Sequence, residues 1–550
     1  MFVPNKLRVC LPRIRSPFLL IFMYSIATNL FITEGRCDQG SSFPLNMSHN
    51  YPWIWESQLF PKTDSGFRFA EINGFKLPDF SHAGYHKGEK KIPDVAVKKT
   101  IRPLNGDNSQ HIQTALYEAS GGALLLLPGR YSIKSEIIIP GNTVLRGSGP
   151  DSTFIYVDLE NTRQMSALVG NRSQRTTPPL SRWKDCEYPN GFDIIGDVKK
   201  GETRLLLETV SDLDIADWIV VKNEVTDYFR WEYNGTTQIA GQTIWPSDES
   251  SLKFLRRIVG IIGFQIIIDQ PVPHILNACD NPHILKLTCM AEEIGVENLS
   301  IGFKSPNNLL KYKDVAGKDT PFHNSAAIKF GNVANGWIRN VKSYSPADNN
   351  IHLHSRGIVL QNSRWITVKD CDFGYPIPSM KSGGNGYVYV ITMSNDCLIQ
   401  NCIARSGRHN YHLANSSGNV ISACKSFDCR ARNDFHHSLS VANLIENMQM
   451  TCNSNYQEAF VIQNRGKASM GAGITGTDNV FWKIHILTPG KIIVSEQAHS
   501  NGGKGYVIGV TSVGDDTETT DSEWREGIGR ETGLRPVSLY YEQLKLRLNR

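Results

Sequence analysis

The sequence predicts an all-β chain folded as a parallel β-helix, a solenoid with an N-terminal capping helix and an inserted loop region. Three observations carry this. A phrase of the form apolar-x-Asn-apolar, with Asp or Ala sometimes in third place, recurs as Val296-Glu-Asn298-Leu, Ile338-Arg-Asn340-Val, Val368-Lys-Asp370-Cys, Ile399-Gln-Asn401-Cys, Ile421-Ser-Ala423-Cys and Ile445-Glu-Asn447-Met. Its steps of 42, 30, 31, 22 and 24 residues fit single coils of about two dozen residues, the longer ones with loops inserted. Period-2 alternation with β-branched residues, as in Trp365–Cys371 and Asn419–Cys424, predicts short strands, while helical periodicity is weak throughout. At a tight bend an Asn tolerates unusual backbone angles and can hydrogen-bond to its equivalent in the next coil.

In chain order, residues 1–16 are basic and Pro17–Ala27 is apolar and ends in small residues. This matches a secretory signal, so residues 1–35 are expected to be a signal peptide and the chain secreted and extracellular. The alternative is an uncleaved anchor, but the apolar run falls short of the ~20 residues a span needs, and no stable membrane span is expected. Residues 36–92 read as an N-terminal extension and 93–512 as the β-helix. Asn105–Leu116 reads as a turn and an amphipathic helix that caps the first coil. Gly121–Ser132 and Ile137–Gly149 give strand, turn and strand. A stretch of about 185–256 interrupts the coils, and its Trp218, Tyr228, Phe229, Trp231, Tyr233 and Trp245 either stack sugar rings or fill the insert's own core. Residues 513–550 are a tail whose Tyr540–Leu548 reads as a helix able to close the other end.

With 40% hydrophobic and 20% charged residues, the 550-residue chain is not disordered, collagenous or a coiled coil. Its net charge is +5, and four of those charges (Lys6, Arg8, Arg13, Arg15) precede residue 28, so the rest is close to neutral and carries no nucleic-acid footprint. There is no Gly-rich strand-to-helix phosphate loop. Eleven cysteines become ten without Cys10, an even number suited to disulfides, with Cys279/Cys289 and Cys424/Cys429 as local pairs. Cys371, Cys402 and Cys424 are read instead as small apolar residues stacked inward. No spacing suggests zinc. Asn46, Asn171, Asn234, Asn298 and Asn415 head glycosylation sequons, although Asn298 also occupies a bend.

The stretches NGDNSQHIQTAL, LLLLPGRYSI and TVLRGSGPDSTFI resemble the opening coils of the secreted pectate-lyase-like superfamily, with its rhamnogalacturonase- and epimerase-type domains. The resemblance covers roughly residues 93–510. It implies a right-handed β-helix and action on acidic polysaccharides as lyase, hydrolase or epimerase, with some members non-catalytic.

Counting from each bend places Asn350–Arg356, Tyr387–Thr392, Arg408–Leu413 and Asp434–Leu439 on neighbouring coils about 4.8 Å apart, where their side chains can converge on one groove. Six of the 15 histidines lie between residues 352 and 437. To eliminate next to a uronic acid, an Arg neutralises the carboxylate, a base removes the alpha proton, and an acid protonates the leaving oxygen. Arg408 and Arg432 are therefore expected as carboxylate clamps and His412 or His437 as base, with Tyr411 and His409 as proton donors. His352, His354, Arg356, Tyr387, Tyr389, Arg405, Arg430, Asp434 and His436 are the expected binding residues. A hydrolase would need two carboxylic acids, for which Asp370/Asp372 and Asp428/Asp434 are the pairs. No dense acidic cluster has calcium-loop spacing, so no cofactor is expected, with calcium left open as an unsupported alternative. The function expected is a polysaccharide lyase on a uronate-containing polymer. The alternatives are a non-catalytic extracellular matrix protein binding acidic glycans, and a glycoside hydrolase.

Overall fold

A computed structural model describes residues 54–159, 162–171, 191–309, 320–347, 349–378, 385–453, 455–495, 504–514, 517–520 and 523–549. The expected signal peptide, Asn46 and residues 185–190 of the insert lie outside them. Each solenoid coil runs through three strands, as in Tyr387–Thr392, Leu398–Gln400 and Ile403–Arg405. The first strand of each coil joins a ten-stranded parallel sheet, hereafter the groove sheet, and the other two build the remaining walls. In the groove sheet Arg356–Gln361, Tyr387–Thr392, His409–Ala414, Asn433–Phe435 and Glu458–Ile462 lie side by side in register.

The recurring phrase marks the corner between the two wall strands. Asn298, Asn340, Asp370, Asn401, Ala423 and Asn447 all have φ between 51° and 58°, the left-handed region that Asn and Asp enter most readily. Asn340 Nδ2 donates to Asn298 Oδ1 at 2.8 Å, and Asn401 Nδ2 to Asp370 Oδ1 at 2.6 Å. A second, deeper Asn ladder has no such phrase to announce it. Buried Asn419 donates to Asn443 Oδ1 at 2.9 Å, and Asn443 to Asn479 Oδ1 at 2.9 Å. The same oxygens accept the backbone N–H groups of Asn419 and Asn443, so each amide satisfies groups that stacking removes from water.

The interior is packed with Ile, Val, Leu and Phe, and Cys371, Cys402 and Cys424 lie in it as free thiols, as expected. The Cys424/Cys429 pairing is corrected, since both are free. Cys424 faces the interior stack, and the left-handed bend at Asp428 (φ 52°) carries Cys429 onto another wall. Cys279 and Cys289 are disulfide-bonded. The helix Ser109–Glu118 is present and buries Ile112, Ala115 and Leu116 against the first coils.

The insert is longer than expected. Six of its strands, from Phe192 to Leu287, form one antiparallel sheet, and a separate hairpin joins Gln238–Ile239 to Gln242–Thr243. The apolar run after Lys253 resembles a coil strand, but it turns at Gly263 (φ 59°) into the hairpin Lys253–Ile262/Gln265–Ile268. Phe229, Tyr233 and Trp245 fill the insert's own core. Fully buried Arg364 ties this unit to the coils, donating to Asp269 at 2.9 Å, Asp396 at 2.8 Å and Gln270 at 2.7 Å. The helix Leu539–Leu548 does not close the end of the solenoid. It lies with Leu59, Phe60, Leu77 and Phe80 over the outward apolar row Leu398, Val420, Leu444, Val480 and Tyr506, which needs that cover. Among the described residues no helix is long and apolar enough to cross a membrane.

The two Asn rows predict unequal costs. Asn443→Ala strands several buried partners and is expected to lose about 2–4 kcal/mol, whereas Asn401→Ala, at an exposed corner, should lose about 1 kcal/mol. Denaturant unfolding of the full chain measures both.

Candidate functional site

The groove sheet alternates cleanly at its centre. Tyr389, Ile391, Tyr411 and Leu413 point inward, so Val390 and His412 point outward. Register then builds one outer row of Lys329, Val359, Val390, His412 and Asp434. Tyr387, at the start of its strand, packs its ring on the same face against Ala326, Val359 and Val390.

Asp434 organises what gathers there. Its Oδ1 accepts from His412 Nδ1 at 2.9 Å and lies 3.6 Å from His409 Nδ1, while its Oδ2 lies 2.7 Å from His436 Nδ1. Arg465 approaches Oδ2 at 3.5 Å, lies 2.7 Å from His436 Nδ1 and donates to the His436 carbonyl at 3.0 Å. His409 Nδ1 donates to the Arg432 carbonyl at 2.6 Å. The Tyr387 ring stacks on His412 at 4.6 Å and meets His409 edge-on at 4.8 Å. Arg408 donates to the Tyr387 hydroxyl at 3.3 Å, and Arg356 lies 5.5 Å from the ring centre. His409, His412 and Asp434 are nearly buried, and His436 and Arg465 form the more open rim.

Burial pushes the His409 imidazole down to about 3 and lowers His412 and His436 as well, despite the opposing pull of Asp434. All three are neutral rings at pH 7. Burial alone would raise the Asp434 carboxyl, but its histidine neighbours and their hydrogen bonds hold it well below the usual range. With Nδ1 donated to Asp434, His412 keeps a basic Nε2. Burial raises the Tyr387 phenol and keeps it protonated. Two polar atoms in this cup, His409 Nε2 and Arg408 Nε, are buried without a hydrogen-bond partner among the described residues.

Ligand atoms of His409, Asp434 and His436 lie within 4.8 Å of one another, a spacing a divalent cation could span. The surrounding charge opposes it. Arg356, Arg408 and Arg465 add three positive charges against one carboxylate, and a guanidinium about 6 Å from a dication costs roughly 5 kcal/mol at an effective dielectric of about 20. The field favours an anion.

Several expected site residues lie elsewhere. Tyr411 and Tyr389 are corrected to interior residues. Their rings stack at 5.1 Å, and their hydroxyls donate to the carbonyls of Cys402 and Lys425 and of Cys371 and Ile403. His354 is also structural, with its ring buried between Phe303 and Phe322 and both nitrogens bonded, to Thr162 and the Lys304 carbonyl. Arg405 and His352 belong to a cluster around Asp372, not to the Tyr387 cup. Arg432 is held by Glu458. His437 bonds Ser438 and faces Glu249 of the insert. Arg430 flanks Gly386 beside Arg408. The paired-acid readings are also corrected. The left-handed corner at Asp370 separates it from Asp372, and buried Asp434 is an ionised histidine partner that exposed Asp428 does not join. Asn415 is buried and donates its amide to the Glu249 and Ser251 carbonyls, and the Asn171 and Asn234 amides are likewise engaged, so a glycan at any of them would break the fold's own bonds. Sequence reasoning missed Arg465, which no repeat phrase marks.

No known family and no curated protein matches the sequence. Solved structures of similar chain path include the tailspike gp61 of Pseudomonas phage phi297, 12% identical with a TM-score of 0.42, covering 76% of this chain and 66% of that one. The alginate lyase from Paenibacillus sp. str. FPU-7 is 8% identical with a TM-score of 0.38, covering 78% and 99%. The DFA-IIIase from Arthrobacter chlorophenolicus A6, in complex with DFA-III, is 9% identical with a TM-score of 0.36, covering 82% and 88%.

The neutral histidines set a pH dependence. Unfolded histidines bind protons near 6.5 while the folded rings resist them, so stability is full above about pH 7 and falls as pH drops from 6.5 toward the folded values, about 3 for His409 and about 4 for His437. Denaturant midpoints from pH 8 to pH 4 check this, and the His409 ring resonance should not titrate above pH 5.

Proposed function

We propose that the chain is a secreted carbohydrate-active protein of the pectate-lyase-like β-helix class that binds uronate-containing polysaccharide and cleaves it by β-elimination. The observation that carries the reading is the Asp434-ordered His412 stacked on a protonated Tyr387 among Arg356, Arg408 and Arg465. The guanidiniums neutralise the sugar carboxylate and the charge that builds on it. His412 Nε2 takes the alpha proton, and the imidazolium that forms is stabilised by Asp434. The electron pair makes the new C=C bond as the C–O bond to the leaving sugar breaks, and the Tyr387 hydroxyl protonates that oxygen. A hydrolase needs two facing carboxyls, and among the described residues this cup holds only Asp434.

A second reading, non-catalytic binding of acidic matrix glycans, draws on the near-burial of His409 and His412. Turnover separates the two. The full chain, with and without calcium, is incubated with polygalacturonate, alginate, chondroitin and heparan sulfates while unsaturated-uronate absorbance and reducing ends are followed together. Both signals rising on one polymer supports the lyase. Reducing ends alone would replace it with a hydrolase, and binding without either signal would leave the matrix protein. His412→Ala and Tyr387→Phe are each expected to lower kcat about 10²–10⁴-fold.

A further inference from the structure

The outer row that carries His412 and Asp434 continues through Val390 and Val359 to Lys329, three strand spacings or about 14 Å from His412. Lys329 is half-buried on the groove face and, among the described residues, makes no hydrogen bond or ion pair. The charged groups that act on it are Arg356, a like charge, and Glu136. Arg356 donates to Asn324 Oδ1 at 2.5 Å and reaches over the Tyr387 ring, so it stands between Lys329 and the cup. Burial and Arg356 together pull the Lys329 ammonium down to about 8, against Glu136. A desolvated ammonium next to a guanidinium is costly unless an anion completes it.

We propose that Lys329, with Arg356, forms a second carboxylate subsite, so that a uronate polymer lies across the groove-sheet strands along the solenoid axis, with one sugar acid at the Asp434 cup and another at Lys329. The inference rests on the reading of that cup as a uronate site. It accounts for a cation in a row otherwise lined by Val359 and Val390, and it makes affinity depend on chain length. The shortest oligomers fill only the cup, and longer ones reach Lys329.

The test is calorimetric titration with uronate oligomers of increasing length, taken from whichever polymer the protein binds, in a His412→Ala background that leaves them uncleaved. Lys329→Met keeps the apolar stem and removes the charge. It is expected to weaken the long oligomers about tenfold and leave the shortest unchanged, with Lys329→Arg restoring most of the loss. Equal affinity at every length, or an equal loss at every length, overturns the subsite. If the His412→Ala protein binds no uronate oligomer of any length, the cup reading falls and the subsite falls with it.

Discussion

Everything in this solenoid depends on each coil turning its corners at the same place, through residues in the left-handed backbone region. Such residues cost roughly 1–2 kcal/mol each when they are not glycine, and here they include Met393, Ala423 and Ala442, which have no polar side chain to offset the strain. Stacking supplies the compensation, because each corner hands its amide to a carbonyl of the next coil, as Asn401 does to Ser422 and Ala423 to Glu446. With corners fixed, residues 22 positions apart become neighbours, and His412 meets Asp434. A slip of one residue would turn both into the interior.

The second constraint is electrostatic. One buried carboxylate orders His412 and contacts His436 and the Arg465 guanidinium, while the Arg432 carbonyl holds the third imidazole, His409. The guanidiniums around Tyr387 are only partly answered by it. The result is a rigid cup whose histidines are neutral and whose outer field is positive, an arrangement preorganised for an anion and poorly suited to a bare metal ion.

Much of the fold could be read from the sequence because the corner residue is chemically marked. The Asn phrase gave the coil boundaries, and the inward cysteines followed from their place after each corner. The site was legible as a region but not residue by residue. Alternation in Tyr387–Thr392 and His409–Leu413 says that neighbours face opposite ways, but not which set faces in. Tyr389 and Tyr411 look as functional as Tyr387 until their hydroxyls are found capping interior carbonyls. The expected end of the insert, at about 256, falls short because two antiparallel strands rich in isoleucine, Lys253–Ile262 and Gln265–Ile268, resemble solenoid strands. Arg465 and Lys329 stayed hidden for a simpler reason, that neither falls in the stretch dense in Arg and His.

The flank packing bears on the order in which the protein can mature as it is synthesised. Trp55 and Glu56 pair with Leu534 and Arg535, and the segment around Leu59–Phe80 shares one apolar cluster with Leu539, Tyr540 and Leu544. The early segment thus waits through nearly five hundred residues of translation for its partner. Coils made in the meantime can stack, but their outer apolar row stays only partly covered until residues 539–548 emerge. During that interval the nascent solenoid presents a sticky stripe, and a chaperone that shields it would act late, on an otherwise assembled rod.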